Sequence, residues 1–161
     1  MIFTGIYELT IDPKNRLSIP ADIRSRMDGK KDGTGFYLVP GDRPGLLSLY
    51  ADKYFESYAE KYHSTLRPNQ EKQDFEMVFY AMATFLDIDK QGRVLLPQRI
   101  LDYSRMGKQV TISGSRDHLV MWNRKEFTEY MERNWSRYPD LLRQAQLLTE
   151  MSCPNGDLNG R

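Results

Sequence analysis

The chain has 161 residues, enough for one ordinary domain or two small halves that share a core, and too few for a large multidomain enzyme. Lys plus Arg number 23 and Asp plus Glu 22, a net charge of +1, so any nucleic-acid surface has to be local and a globally cationic coat is excluded. The longest apolar run, Met77 to Ala83, is well short of the ~20 residues that cross a bilayer, and the one cysteine, Cys153, excludes an intrachain disulfide and agrees with a reducing compartment.

In chain order, Met1 to Gly5 has no basic segment ahead of an apolar stretch and does not read as a secretory signal. Tyr7, Leu9 and Ile11 alternate with Glu8 and Thr10, the period-two pattern of a half-buried strand. The strand runs into a turn at Asp12 to Asn15, where Pro13 presets φ and Asn15 tolerates a left-handed backbone. Leu17 and Ile19 resume the alternation, so a hairpin is expected, stopped by Pro20 and followed by a short helix. Phe36 to Val39 and Leu46 to Tyr50 read as further strands. Residues 52–63 place Phe55, Tyr58, Ala59 and Tyr62 on one helical face, and residues 70–84 do the same with Phe75, Val78, Phe79 and Met82.

The plan then returns. Asp12-Pro-Lys-Asn-Arg16-Leu-Ser-Ile-Pro20-Ala-Asp-Ile23 comes back as Asp89-Lys-Gln-Gly-Arg93-Val-Leu-Leu-Pro97-Gln-Arg-Ile100, with Asp, Arg, Pro and Ile kept at an offset of 77. Leu49-Tyr50, Lys53 and Phe55 return as Met121-Trp122, Lys125 and Phe127 at an offset of 72. The first repeat therefore carries five extra residues, expected in the polar, glycine-rich turn Gly29 to Gly35. Phe85 to Ile88 and Val94 to Leu96 flank the second turn, where Gly92 takes the place of Asn15, and Val110 to Ser113 and Leu119 to Trp122 repeat the later strands. Phe127, Tyr130 and Met131 mark a third helix, and Leu141, Leu142, Ala145 and Leu148 a fourth. Ser152 to Arg161, with little apolar content, is expected to be disordered.

A strand, an Asp-x-x-x-Arg turn, a strand ending in Pro and a short helix, present twice behind a Phe3-x-Gly5 start, resembles the MraZ family of bacterial transcriptional regulators over residues 1 to about 148. The resemblance implies an α+β fold in which two interleaved AbrB-like swapped-hairpin half-barrels form a pseudo-symmetric β-barrel with flanking helices. Its division is a first repeat at 5–51, a helical hairpin connector at 52–81, a second repeat at 82–125, C-terminal helices at 126–150 and a tail at 151–161. It further implies a DNA-binding regulator, a repressor acting on short direct repeats in the promoter of the division and cell-wall gene cluster, assembled as a ring-shaped homo-oligomer in the cytoplasm and associated with the nucleoid. Lys14-Asn15-Arg16 stands where the family usually has Lys-Gly-Arg. Asparagine is the next best residue at positive φ, and its amide brings a further polar group to the turn that could alter base preference.

The charges fit that reading locally. Asp12 to Lys31 holds six Lys or Arg and three Asp, and Asp89 to Lys108 holds five basic and two acidic residues, +3 in each window. Lysines neutralise phosphates, while an arginine on a rigid turn reaches guanine O6 and N7 as a bidentate donor. Lys14, Asn15 and Arg16 are thus the expected recognition tip, with Lys90, Gln91 and Arg93 as a secondary or structural counterpart and Arg24 and Arg26 as phosphate contacts. Asp12 and Asp89 are expected to organise the turns. The alternative is that Arg16 and Arg93 merely pin their hairpins by pairing with Asp12 and Asp89, and the two roles can coexist.

Other chemistry is thin. His63 and His118 are 55 residues apart and no Cys/His spacing resembles a metal site, so neither a metal nor a cofactor is expected. Asp87 and Asp89 could be paired acid/base carboxylates, but the repeat explains Asp89. Gly114-Ser115-Arg116-Asp117 reads as a turn outside any phosphate-binding motif. Nothing assembles a nucleophile with its base, so no enzyme and no small-molecule substrate are expected. Tyr54, Tyr58 and Tyr62 could stack bases, though an aromatic helix stripe fits a core or subunit interface better. With an apolar share of 40%, these helices point to a homo-oligomer. A second class remains open, a ring-forming structural or protein-interaction module of the cell-wall or division machinery that uses the aromatic helices, and salt-dependent promoter binding separates the two.

Overall fold

The computed structural model describes residues 2–65 and 67–152, with the backbone alone for residues 62, 63, 65 and 149–152. The chain divides into two compact units, Met1–Arg124 and Lys125–Arg161. In order, the elements are β1 (Ile6–Thr10), β2 (Arg16–Ser18), α1 (Ala21–Arg26), β3 (Gly35–Pro40), β4 (Leu47–Ala51), α2 (Asp52–Thr65), α3 (Gln70–Met82), then β5 (Thr84–Asp87), β6 (Arg93–Leu95), α4 (Gln98–Ser104), β7 (Gln109–Ser115), β8 (His118–Asn123), α5 (Arg124–Trp135) and α6 (Tyr138–Ser152). The second seven elements repeat the types and order of the first seven, as the sequence repeat requires.

The fold is mixed α+β. Six strands form one antiparallel sheet in the order β1-β7-β8-β4-β3-β5, and β2 and β6 form a separate antiparallel ladder. Exchanging the repeats leaves both orders unchanged. Leu47 lies opposite Met121 and Leu49 opposite Leu119, with Ser48 facing Val120 between them. In the ladder Arg16 faces Leu95 and Arg93 faces Ser18, with Leu17 facing Val94 at the centre. An approximate two-fold axis therefore passes through the Ser48–Val120 and Leu17–Val94 pairs.

Three expectations need correcting. The strands on either side of each turn do not form a hairpin ladder: β1 pairs with β7, β5 with β3, and β2 with β6. Alternation reports which face of a strand is buried and leaves the choice of neighbour to the tertiary fold. Among the described residues the expected barrel is not closed, since the six-stranded sheet ends at β1 and β5. Finally, the five extra residues are split. Leu9 lies opposite Val110 and its repeat counterpart Leu86 opposite Phe36, so β3 is offset from β7 by 74. Three extra residues thus precede β3, and two fall in the loop 41–46, where Gly41 and Gly45 give the chain room to turn.

The main core lies between the sheet, the ladder and the two short helices. Leu17, Phe36, Leu38, Leu49, Val110, Ile112, Leu119 and Met121 are fully buried there, joined by Ile23 of α1 and Ile100 of α4. Pro20 and Pro97 open α1 and α4 as N-caps, each ending the extended segment before it. On the other face of the sheet Val39, Tyr50, Phe55 and Phe79 form a second cluster. Asn69 starts α3 by accepting the Lys72 backbone N–H at 2.7 Å. Only Phe79 of the expected α3 stripe is buried, and Val78 is exposed. The tail expected to be disordered falls, beyond Ser152, outside the described residues.

Candidate nucleic-acid interface

Each turn is built around one carboxylate. Asp12 Oδ1 accepts the backbone N–H groups of Lys14 (2.9 Å) and Arg16 (2.8 Å), while Oδ2 takes the Arg16 Nε at 2.6 Å. Asp89 does the same with Gln91 (2.8 Å) and Arg93 (2.9 Å), and its Oδ2 meets Arg93 Nε at 3.0 Å and Nη2 at 2.9 Å. Backbone bonds close both loops, Asn15 N–H to Asp12 O and Gly92 N–H to Asp89 O, each at 2.9 Å. Asn15 (φ 60°) and Gly92 (φ 78°) occupy the left-handed region. The backbone N–H of Arg16 is the main cause holding the Asp12 carboxyl below the usual carboxylate range, and that of Arg93 does so for Asp89, in each case against a smaller upward push from desolvation.

The pinning role proposed for Arg16 and Arg93 is therefore present in both turns. Asp89 lies within 3.0 Å of both Nε and Nη2 of Arg93, and Asp12 holds Nε of Arg16 at 2.6 Å. Among the described residues no hydrogen bond is made by the Nη groups of Arg16.

The β2–β6 ladder sets the two turns side by side. Directly opposed residues share a face, so Leu17 and Val94 point into the core while Arg16, Ser18, Arg93 and Leu95 point outward. By strand geometry the Cα atoms of Arg16 and Arg93 lie roughly 8 Å apart. Each turn is also docked on the other repeat: Leu96 N–H donates to Asn15 O at 2.8 Å, and Ile19 N–H to Gly92 O at 2.9 Å. The side chains differ. Asn15 Nδ2 donates to Gln98 Oε1 at 2.7 Å, and Asn15 Oδ1 accepts from Lys108 Nζ at 2.7 Å. At the second turn the Arg24 guanidinium covers Gly92, where an added Cβ would lie 2.6 Å from Arg24 Cζ, and Arg24 Nε donates to Ile19 O at 3.0 Å. Arg24 thus belongs to the second turn. Lys14, Lys90 and Gln91 are exposed at the tips, and Arg26 is exposed at the end of α1. Sequence reasoning missed Gln98 and Lys108 at this site, because their contacts to Asn15 span 83 and 93 residues.

The α2 tyrosines are engaged elsewhere. Tyr50 is stacked on Tyr58 (4.8 Å between centroids) and on His118 (4.7 Å). Tyr54 donates to Asp117 Oδ2 at 2.6 Å, and His118 Nδ1 lies 2.8 Å from Asp117 Oδ1. That bond to Asp117, with burial behind it, pushes Tyr54 up to about 12. Burial pushes Asp117 upward, but the hydrogen bonds from Tyr54 and His118 outweigh it and leave the carboxyl lowered. The side chains of Tyr62 and His63, and all of Cys153, lie outside the described residues. Among the described residues no cluster of His, Cys, Asp and Glu is arranged to hold a metal, and no helix is long and apolar enough to cross a membrane.

The family model described as "MraZ protein, putative antitoxin-like" matches residues 79–146, which contain the second turn and β6. A protein of Mycoplasmopsis pulmonis named "Transcriptional regulator MraZ" is 30% identical over 133 residues, covering 82% of this chain and 86% of its own length. Proteins of the same name from Moorella thermoacetica (30%) and Mycoplasmoides gallisepticum (29%) match over 140 residues, 87% of this chain and 94% of theirs. With the repeated Asp-Arg turns in place and relatives 30% identical over more than four-fifths of the chain, this protein belongs to the MraZ family.

Proposed function

We propose that the chain is a sequence-specific DNA-binding transcriptional regulator whose reading surface is the outward face of the β2–β6 ladder with its two turns. The observation that carries this reading is Arg16, held through Nε by Asp12 while its Nη groups make no hydrogen bond among the described residues. That is the donor pair a guanine accepts in the major groove. Lys14 and Lys90 supply phosphate contacts beside it, with Arg24 and Arg26 flanking, and Arg93, whose side chain is less exposed than that of Arg16, has the larger structural share. The names carried by the aligned relatives support regulation of transcription.

The finer reading follows the resemblance. The pairing of β2 with β6 across repeats supports two AbrB-like halves that exchange hairpins. The target is a set of short direct repeats in the promoter of the division and cell-wall gene cluster, the action is repression, and the place is the cytoplasm at the nucleoid. One ladder touches few base pairs, so useful affinity needs several engaged at once, which a ring-shaped homo-oligomer supplies.

The test compares wild type with Arg16→Ala on the protein's own promoter and on a scrambled fragment. Loss of one bidentate contact costs ~1–3 kcal/mol at each engaged subunit, so specific binding is expected to disappear while melting temperature and assembly stay near wild type. A folded, assembled Arg16→Ala protein that binds the promoter with wild-type affinity and specificity ends this assignment.

A further inference from the structure

Lys108 stands beside the first turn although it lies 93 residues from Asn15, its side-chain partner. Its carbonyl accepts the Ile11 N–H at 2.8 Å, which anchors its backbone one residue ahead of Asp12. Its ammonium then donates to Asn15 Oδ1. The acceptor is a neutral amide, so the positive charge is not compensated, and an ammonium has two further donors to offer. Neither Lys108 nor Lys14 forms an ion pair among the described residues, and both are exposed. Three cations, Lys14, Arg16 and Lys108, therefore crowd one turn, and only Arg16 faces a carboxylate. Such a crowd repels itself unless a polyanion is brought to it.

The Asn15 amide is spoken for at both ends, with Nδ2 on Gln98 and Oδ1 on Lys108. Gln98 is itself held by its Nε2 donating to Asp102 Oδ1 at 2.6 Å. The second turn has no such device. By the repeat offsets the counterparts of Asn15, Gln98 and Lys108 are Gly92, Ala21 and Thr34, none of which carries a charge or a long polar side chain.

We propose that Lys108 is a further DNA-contacting residue of the first turn, a phosphate ligand lent by the second repeat, and that Asn15 positions its ammonium rather than reading a base. This rests on the DNA-binding reading above.

The experiment measures binding of full-length wild type, Lys108→Met and Lys108→Arg to the promoter and to scrambled DNA between 50 and 200 mM salt. A lost phosphate contact weakens binding on both DNAs alike and flattens the salt dependence, so over that range wild type is expected to lose about 3.5-fold more affinity than Lys108→Met per engaged turn. Lys108→Arg restores the slope. A Lys108→Met protein with the wild-type slope and affinity overturns the proposal. So does a loss of affinity confined to the promoter with the scrambled DNA unaffected, since Lys108 would then act only through an asparagine that reads a base. Arg16→Ala in the same series separates the two levels: wild-type promoter binding there removes the DNA reading itself, whereas its loss beside an unchanged Lys108→Met slope removes Lys108 alone.

Discussion

Asp12 and Asp89 do with one carboxylate what a longer loop would need several groups to do. Each collects two backbone N–H groups and a guanidinium, so the turn and the arginine are ordered together. Hydrogen bonds to the ionised form hold both carboxyls below their ordinary value. A carboxyl depressed in the folded state contributes order above its unfolded pKa of ~3.9 and loses it as pH falls through the lower folded value. The Lys14, Arg16, Gln91 and Arg93 amide resonances are therefore expected to move together, with midpoints below about 3.9. Midpoints at or above that value would mean the carboxylates do not hold the turns. Asp12→Ala should erase the transition at the first turn and leave it at the second. These aspartates were legible because their partners lie two and four residues away. Gln98 and Lys108 were not, because a single sequence says nothing about which distant residue meets Asn15.

The β2–β6 ladder is only three residues per strand, yet it places the turns. Its inward pair, Leu17 and Val94, is almost wholly buried and ties the ladder to the sheet. Leu17→Ala removes a fully buried side chain from between the repeats and should cost about 2–5 kcal/mol of stability. Denaturant unfolding checks this, and a loss well under 1 kcal/mol would mean the ladder is not part of the core. The short apolar alternation around each turn did show which side chains go inward. It could not show that β2 leaves β1 to join β6, because the same inward set suits a local hairpin. The α3 stripe fell short for a related reason: helical spacing puts Val78 near Phe79, but only the second of these meets Val39 and Phe55 under the sheet.

At the scale of the molecule, the unit formed by residues 1–124 leaves several large apolar side chains exposed. A groove of about 650 Å³ between the loop 41–46, α3 and α4 is lined by Leu46, Met77, Val78 and Tyr103. Met77 and Tyr103 are 72% and 78% exposed, values more usual for an interface than for a free surface. Light scattering at micromolar concentration is expected to give a multiple of 18.9 kDa. A mass near that of one chain would remove the assembly and with it the means of engaging several turns.

The two-fold axis through Leu17–Val94 and Ser48–Val120 relates parts that are not identical, since one polypeptide carries both. A true homodimer must present the same tip twice and so favours inverted half-sites. Here one tip carries an asparagine with a borrowed lysine, and the other a glycine under a borrowed arginine. Such a head has polarity. If these turns read DNA as proposed, the head would point one way along the strand, and because its halves share a backbone the orientation between its tips does not dissolve at any dilution.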